Sequence, residues 1–354
     1  MDEILIKVPA RICFYGDHQD YLGLPVIAGS INRFIELRAN PINENQYLIG
    51  LKDLNRMETI DLDSSFNEVP KDDYFRSGMT ILRDKGLTFT RGYHIEISGN
   101  IPLNAGLSSS SALVVAWIRF LISTQTEISF TDAEIGHLAY EAEVGFFKQP
   151  GGLMDQYAIA QQGLLFIDTT TGKTEQLKGT LGNLVVAESG IEKQTQDVLK
   201  NARIFQENAI QEVWNNHPDF EIQKATPVEY ERYRNLISEK YQPYWHAAIF
   251  NLHITKRAKD YLNKPNSDIR ELSYLMNQHQ AILENQIGNT PIAMQEMMFN
   301  ARNAGALATK TIGSGGGGSI VALVDLSKIE DVKNAFIKTG AKDAYEVQLT
   351  YPER

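Results

Sequence analysis

A chain of 354 residues is long enough for two domains with separate cores, and 43% hydrophobic against 22% charged residues is ordinary for a soluble globular protein. The formal net charge of −10 argues against nucleic acid or an anionic membrane as a partner held by a general basic surface, and leaves room only for a local basic pocket. The single cysteine, Cys13, cannot form an internal disulfide and fits a reducing cytoplasm; the start Met-Asp-Glu lacks a signal-peptide pattern, and no apolar run reaches spanning length.

In chain order, Ile4 to Cys13 reads as a strand of mostly β-branched residues, with a break or bulge at Pro9. Tyr15 to Gly23 then packs two carboxylates, an imidazole and two phenols into a glycine-bounded loop just after Arg11. Such a loop suits a polyhydroxylated ligand, because carboxylates accept hydroxyl hydrogen bonds and His donates or accepts. A solvated Asx turn is the plain alternative. Pro25 to Asn40 reads as one or two strands, Tyr47 to Ile60 as a hairpin, and Asp72 to Lys85 as a helix. Alternation over Tyr93 to Ser98 gives a half-buried strand that leads into Pro102-Leu-Asn-Ala-Gly-Leu-Ser-Ser-Ser-Ser-Ala112 and an apolar run of helix length.

A glycine turn feeding a helix start aims backbone N–H groups and the positive end of the helix dipole at one point, which suits a phosphate. Serines also cap helices, however, and no lysine follows the glycine as a P-loop requires. Thr131 to Phe147 reads as a second helix opened by a Thr131/Glu134 capping box, with Glu141 and Glu143 on different faces. Asp155 falls at the next helix start after Gly151-Gly152, where it could serve only the helix dipole. Leu164 to Asp168 and Leu184 to Glu188 read as short strands on either side of a composition shift near residue 180. Helices follow over 194–214, 228–239, 244–262, 269–285 and 292–303, whose histidines 246, 253 and 279 have no metal-cage spacing. The glycine-rich stretch Lys310 to Ser319 then enters a strand, Ile320 to Val324, and offers backbone N–H groups to an anion or another loop. The order indicates an α+β fold.

Together these stretches resemble the GHMP kinases, and the galactokinase branch in particular. Pro102 to Ser110 is similar to the family's Pro-x-x-x-Gly-Leu-Ser-Ser-Ser loop, Lys310 to Gly318 to its C-terminal glycine motif, Arg11 to Tyr21 to Arg-x-x-x-x-Gly-Glu-His-x-Asp-Tyr, and Gly152 to Gln156 to Gly-Ile-Met-Asp-Gln. The resemblance implies two α+β lobes, a ribosomal-protein-S5-domain-2-like lobe over 1–180 and a helical, ferredoxin-like lobe over 181–354. It implies ATP and Mg²⁺ as cofactors and phosphoryl transfer to a sugar hydroxyl, with galactose leading and galacturonate, arabinose or a heptose phosphate as alternatives. A non-catalytic sugar sensor is the reading from another class. By the same resemblance Asp155 and Arg11 are catalytic, and Asp17, His18, Asp20 and Gly152 bind sugar. Gly106, Leu107, Ser108, Ser109, Ser110, Gly315 and Gly316 bind ATP, and Ser110 and Glu143 hold the metal. The implied protein is a cytoplasmic monomer or homodimer. Asp17 stands where the signature has Glu, and Leu22 where Asn is common.

Overall fold

Strand β2 (Val26–Ile42) is 17 residues long and pairs antiparallel with β1 (Ile4–Tyr15), β5 (Gly92–Gly99) and β6 (Leu164–Ile167). It forms one strand because β1 runs beside it from Ile27 to Ala39, absorbing register shifts at Pro9/Ala10 and Cys13/Tyr15. With β3 (Gln46–Leu51), β4 (Arg56–Asp61) and β7 (Thr174–Gln176) the sheet has seven strands in the order β4-β3-β5-β2-β6-β7, β1 lying off that path against β2. Only β3 and β5 run parallel. The structure is a computed structural model that describes residues 3–66, 68–125, 128–192 and 195–352, less the side chains of 195–199.

Helices α1 (Tyr74–Asp84), α2 (Ser109–Ser123), α3 (Asp132–Tyr140) and α4 (Met154–Gln161) accompany this sheet. Asp73 caps α1 by accepting from the Arg76 N–H. Helix α2 packs on β1 and β2 and is apolar nearly all round, which is what a fully buried helix requires. Its Trp117 and Phe120 join Tyr47, Phe75 and Tyr93 in an edge-to-face aromatic cluster. The capping box at Thr131 and Glu134 is formed, but the helix it opens turns into a π-helical turn over Glu141–Gly145.

The second sheet is antiparallel throughout, in the order β11 (Asp343–Val347), β8 (Asn183–Glu188), β10 (Ser319–Val324), β9 (Ala306–Thr311). Around it lie α5 (Thr195–Asn216), α6 (Pro227–Tyr233), α7 (Gln242–Leu262), α8 (Ile269–Ile282), α9 (Ile292–Asn303) and α10 (Ile329–Lys338). The expected helix over 228–239 stops at Tyr233 and continues as short 3₁₀ turns; no residue of α6 is fully buried, and it packs only through the partly buried Tyr230 and Tyr233. Strands β7, β9 and β11 and helix α10 went unread in the sequence. One apolar cluster runs through both sheets, from Val8, Ile12 and Trp117 to Val186, Leu275 and Val321. The C-terminal segment returns to β2, where the Asn32 N–H donates to the Gln348 carbonyl and the Thr350 N–H to that of Ser30. Thr131→Ala removes a cap from an otherwise exposed site and should cost about 1 kcal/mol in urea unfolding, leaving the rest of the fold intact.

Candidate active site

Arg11 projects from β1, and Asp155 from the first turn of α4. The guanidinium forks onto the carboxylate, Nε to Oδ1 and Nη2 to Oδ2, both at 2.7 Å. A planar two-bond pairing of this kind fixes orientation as well as charge. The remaining amino group, Nη1, donates to the Gly106 carbonyl at 2.8 Å. Burial works against the Arg11 charge, but Asp155 outweighs it and the guanidinium is held above its ordinary pKa. Asp155 therefore does more than face a helix dipole.

The serine loop meets the same carboxylate. Ser108 stands at the N-terminal boundary of α2 in the left-handed region, φ +58°, and makes no cap with its side chain. Its hydroxyl donates instead to Asp155 Oδ2. Ser109, Ser110 and Ser111 follow along the wall of the same cleft. Leu107 differs from its neighbours: the whole residue is buried, with its side chain in the apolar core, and it does not line the cleft.

Glu143 enters from the π-helical turn, which turns it inward while Glu141 stays outside near His137 at 3.4 Å. Gln156 donates to Glu143 Oε2 at 2.7 Å. Burial pushes the Glu143 carboxyl up, against the pull of Gln156 and of the Ser111 and Ser110 hydroxyls. No lysine or arginine pairs with it among the described residues. A buried carboxylate beside serine hydroxyls is a hard-oxygen set, and it fits a small divalent cation that completes its shell with water and phosphate oxygens.

On the opposite wall, a side chain at Gly152 would place its Cβ 2.2 Å from Asp20 Oδ2, so only glycine allows that carboxylate to lie across the loop. Burial and the Asp155 charge push Asp20 up to about 7. Asp17 is buried against Lys310, with Nζ 2.6 Å from Oδ2. Burial alone would raise Asp17, but Lys310 holds it below the usual carboxylate range.

His18 Nε2 lies 2.9 Å from the Ser314 carbonyl, and its Nδ1 lies 3.1 Å from the Tyr21 hydroxyl, which donates to Gln206 of α5. Asn289, unmarked in the sequence, donates to the same Ser314 carbonyl at 3.3 Å and accepts from the Gly316 N–H. The glycine stretch therefore meets the cleft through Gly313 and Ser314, whereas Gly315 and Gly316 lie against Asn289. At Gly318, φ +87°, the backbone comes so near Ala105 that a Cβ would sit 3.0 Å from its carbonyl oxygen.

These walls enclose a cleft of about 300 Å³. An apolar hollow of about 260 Å³ adjoins it, lined by Ile35, Leu51, Ile97, Ile101, Leu103 and Leu113. Asn104, Ser109 and Ser110 are common to both.

Residues 73–163 match the GHMP kinases N terminal domain, and residues 258–342 match GHMP kinases C terminal. The chain belongs to the GHMP kinases. It is 25% identical to a galactokinase of Lacticaseibacillus casei over 97% of this chain and 89% of that protein, and 26% identical to a mevalonate kinase of Thermococcus gammatolerans over 95% and 93%. Among solved structures, the galactokinase of Lactococcus lactis complexed with galactose superposes with TM-score 0.87 at 20% identity, covering 98% of this chain and 94% of the other. The mevalonate kinase of Methanococcus jannaschii gives 0.71 at 17% identity over 99% of each chain. The two-lobed GHMP kinase fold is therefore that of this chain, and ATP is the phosphoryl donor of its family. No described helix is long and apolar enough to cross a membrane.

Asp20 carries a stability signature. With a folded pKa near 7 against 3.8 for the free side chain, the folded state binds the extra proton between those values, so Asp20 makes stability fall as pH rises through that window. Asp20→Asn should therefore raise the melting temperature at pH 8, by about 2–4 °C, and do much less at pH 4. Thermal melts at the two pH values check the difference.

Proposed function

We propose that this GHMP kinase transfers the γ-phosphoryl of ATP to a hydroxyl of a neutral sugar, with galactose, phosphorylated at its anomeric hydroxyl, as the leading substrate. The observation that carries the reading is the doubly bonded Arg11–Asp155 pair set between the serine loop and the acidic loop. In this reading Asp155 orients and accepts the proton of the attacking hydroxyl, and Arg11 keeps that carboxylate ionised while facing the charge that builds on the transferred phosphoryl. Gly106 and the serines of α2 cradle the phosphates at a helix N-terminus. The apolar hollow, continuous with them through Ser109 and Ser110, suits a purine base. Ser110 and Glu143 would hold Mg²⁺, whose charge neutralises phosphate oxygens.

The charges in the cleft support a neutral acceptor. Among the described lining residues Arg11 is the only lysine or arginine, and it is engaged by Asp155. Lys310 lies behind Asp17 with no solvent exposure. Among the described lining residues no further lysine or arginine is left to receive a uronate, a sugar phosphate or the carboxylate of mevalonate, whereas Asp17, Asp20 and His18 suit hydroxyls. The intact Arg11–Asp155 geometry favours catalysis over a silent sensor.

Coupled ADP release with ATP and Mg²⁺ across neutral hexoses and pentoses, hexuronates and heptose phosphates tests this reading. Turnover should be confined to neutral sugars, with galactose foremost; preference for an anionic acceptor would refute it. Asp155→Asn should lower kcat by about 10³-fold or more with ATP KM changed less than about threefold. Glu143→Gln should raise the Mg²⁺ concentration needed for half-maximal rate by about tenfold, read from a metal titration at saturating ATP and sugar.

A further inference from the structure

Lys310 belongs to β9, an edge strand of the second sheet whose outer side is covered by α8: Asn277 accepts from the Thr309 N–H and Gln280 from the Thr311 N–H. The strand is thereby pinned with the Lys310 side chain turned inward. Its ammonium donates to the Thr311 carbonyl at 2.7 Å and meets Asp17 Oδ2 at 2.6 Å, at zero exposure for Lys310 and 2% for Asp17. An ammonium so removed from water is costly unless its partners are fixed, so a buried pair of this kind is weak evidence for stability and invites another role. Asp17 nevertheless lines the cleft. The pair therefore ties the acidic loop after β1 to the second sheet at the floor of the pocket.

We infer that Lys310 is a positioning residue for sugar recognition: it draws the Asp17 carboxylate to the cleft floor, fixes its orientation and cancels its charge, so that it accepts a sugar hydroxyl without adding net charge to the cleft. This deepens the reading of the cleft as a sugar site and rests on it. The other charged or titratable groups around Asp17 among the described residues are Arg11 and Cys13 on β1, His18 and Asp20 in its own loop and His279 on α8. Arg11 is taken by Asp155. His279, buried beside Lys310, is pushed down to about 3 and stays neutral, its Nε2 facing the Gly16 N–H at 3.4 Å. Lys310 is thus the cation that governs Asp17.

The test compares Lys310→Met, Lys310→Arg, Asp17→Asn and the double variant Asp17→Asn/Lys310→Met in steady-state kinetics with galactose and ATP. Lys310→Met should raise sugar KM by about tenfold or more, the effect of misplacing a charged acceptor, with ATP KM within about twofold. It should also make sugar KM fall as pH rises above neutrality, because a buried Asp17 without its cation stays protonated to higher pH and regains its acceptor carboxylate only as pH rises, and Lys310→Arg should restore most of the loss. The double variant, which replaces the buried pair by neutral groups of similar size, should fold even if Lys310→Met does not, and its sugar KM should be no worse than that of the poorer single variant. A wild-type sugar KM in Lys310→Met or in the double variant, equal shifts in sugar and ATP KM, or additive losses would each overturn the inference while the wild type remains an active sugar kinase. A wild type that turns over no neutral sugar would overturn the reading of the cleft itself, and the inference with it.

Discussion

The two hydrogen bonds between Arg11 and Asp155 join residues 144 positions apart and fix the relation of everything around them. Arg11 is carried by β1, the strand paired with β2 from Ile27 to Ala39; Asp155 is carried by α4, which packs against β1 and β2 and against α2. The pair is therefore anchored on elements of the buried core, and the chemistry of a phosphoryl transfer would be referred to that frame. Arg11 also holds the Gly106 carbonyl, and Asp155 the Ser108 hydroxyl. One ion pair thus sets the position of the serine loop on one side and faces Asp20 and Gly152 on the other.

A second ordering principle is charge. Four carboxylates, Asp17, Asp20, Glu143 and Asp155, meet in one small space, and like charges so close cannot all stay ionised without compensation. Arg11 compensates one and Lys310 another. Asp20 is left to titrate near neutrality, and Glu143 stands beside hydroxyls as an oxygen donor set for a divalent ion. In the proposed reading, an overall acidic protein with this internal arrangement would handle anionic nucleotide by local geometry rather than by a general basic surface.

The sequence made the serine loop and the acidic loop visible because each concentrates chemistry-bearing residues next to glycine, where backbone and ligand approach closely, whereas Asp155 by itself read as a helix-dipole charge and gained a role only through resemblance. Their meeting place was legible only through resemblance, since no spacing rule links residue 11 to residue 155. Other features were hidden for physical reasons. Helical periodicity places Glu141 and Glu143 on different faces but cannot say which turns inward; the π-turn decides it. Lys310 sits in a strand, Ala306 to Thr311, whose residues apart from Leu307 are small or polar, so it has no alternating apolar signal, and α8 side chains bond its edge. Asn289 follows a helix end at Gly288 and carries no mark of its role between His18 and the glycine stretch. Leu107, inside the most recognisable motif, is a core residue whose side chain faces away from any ligand.

The central claim is that Arg11 and Asp155 act as one unit. A double-mutant cycle on single-turnover phosphoryl transfer, using Arg11→Met, Asp155→Asn and the combination, measures that directly. If the two side chains work through each other, the combined variant should be about as slow as the poorer single one. Rate losses that simply multiply would mean that the two residues contribute independently, and would contradict the account.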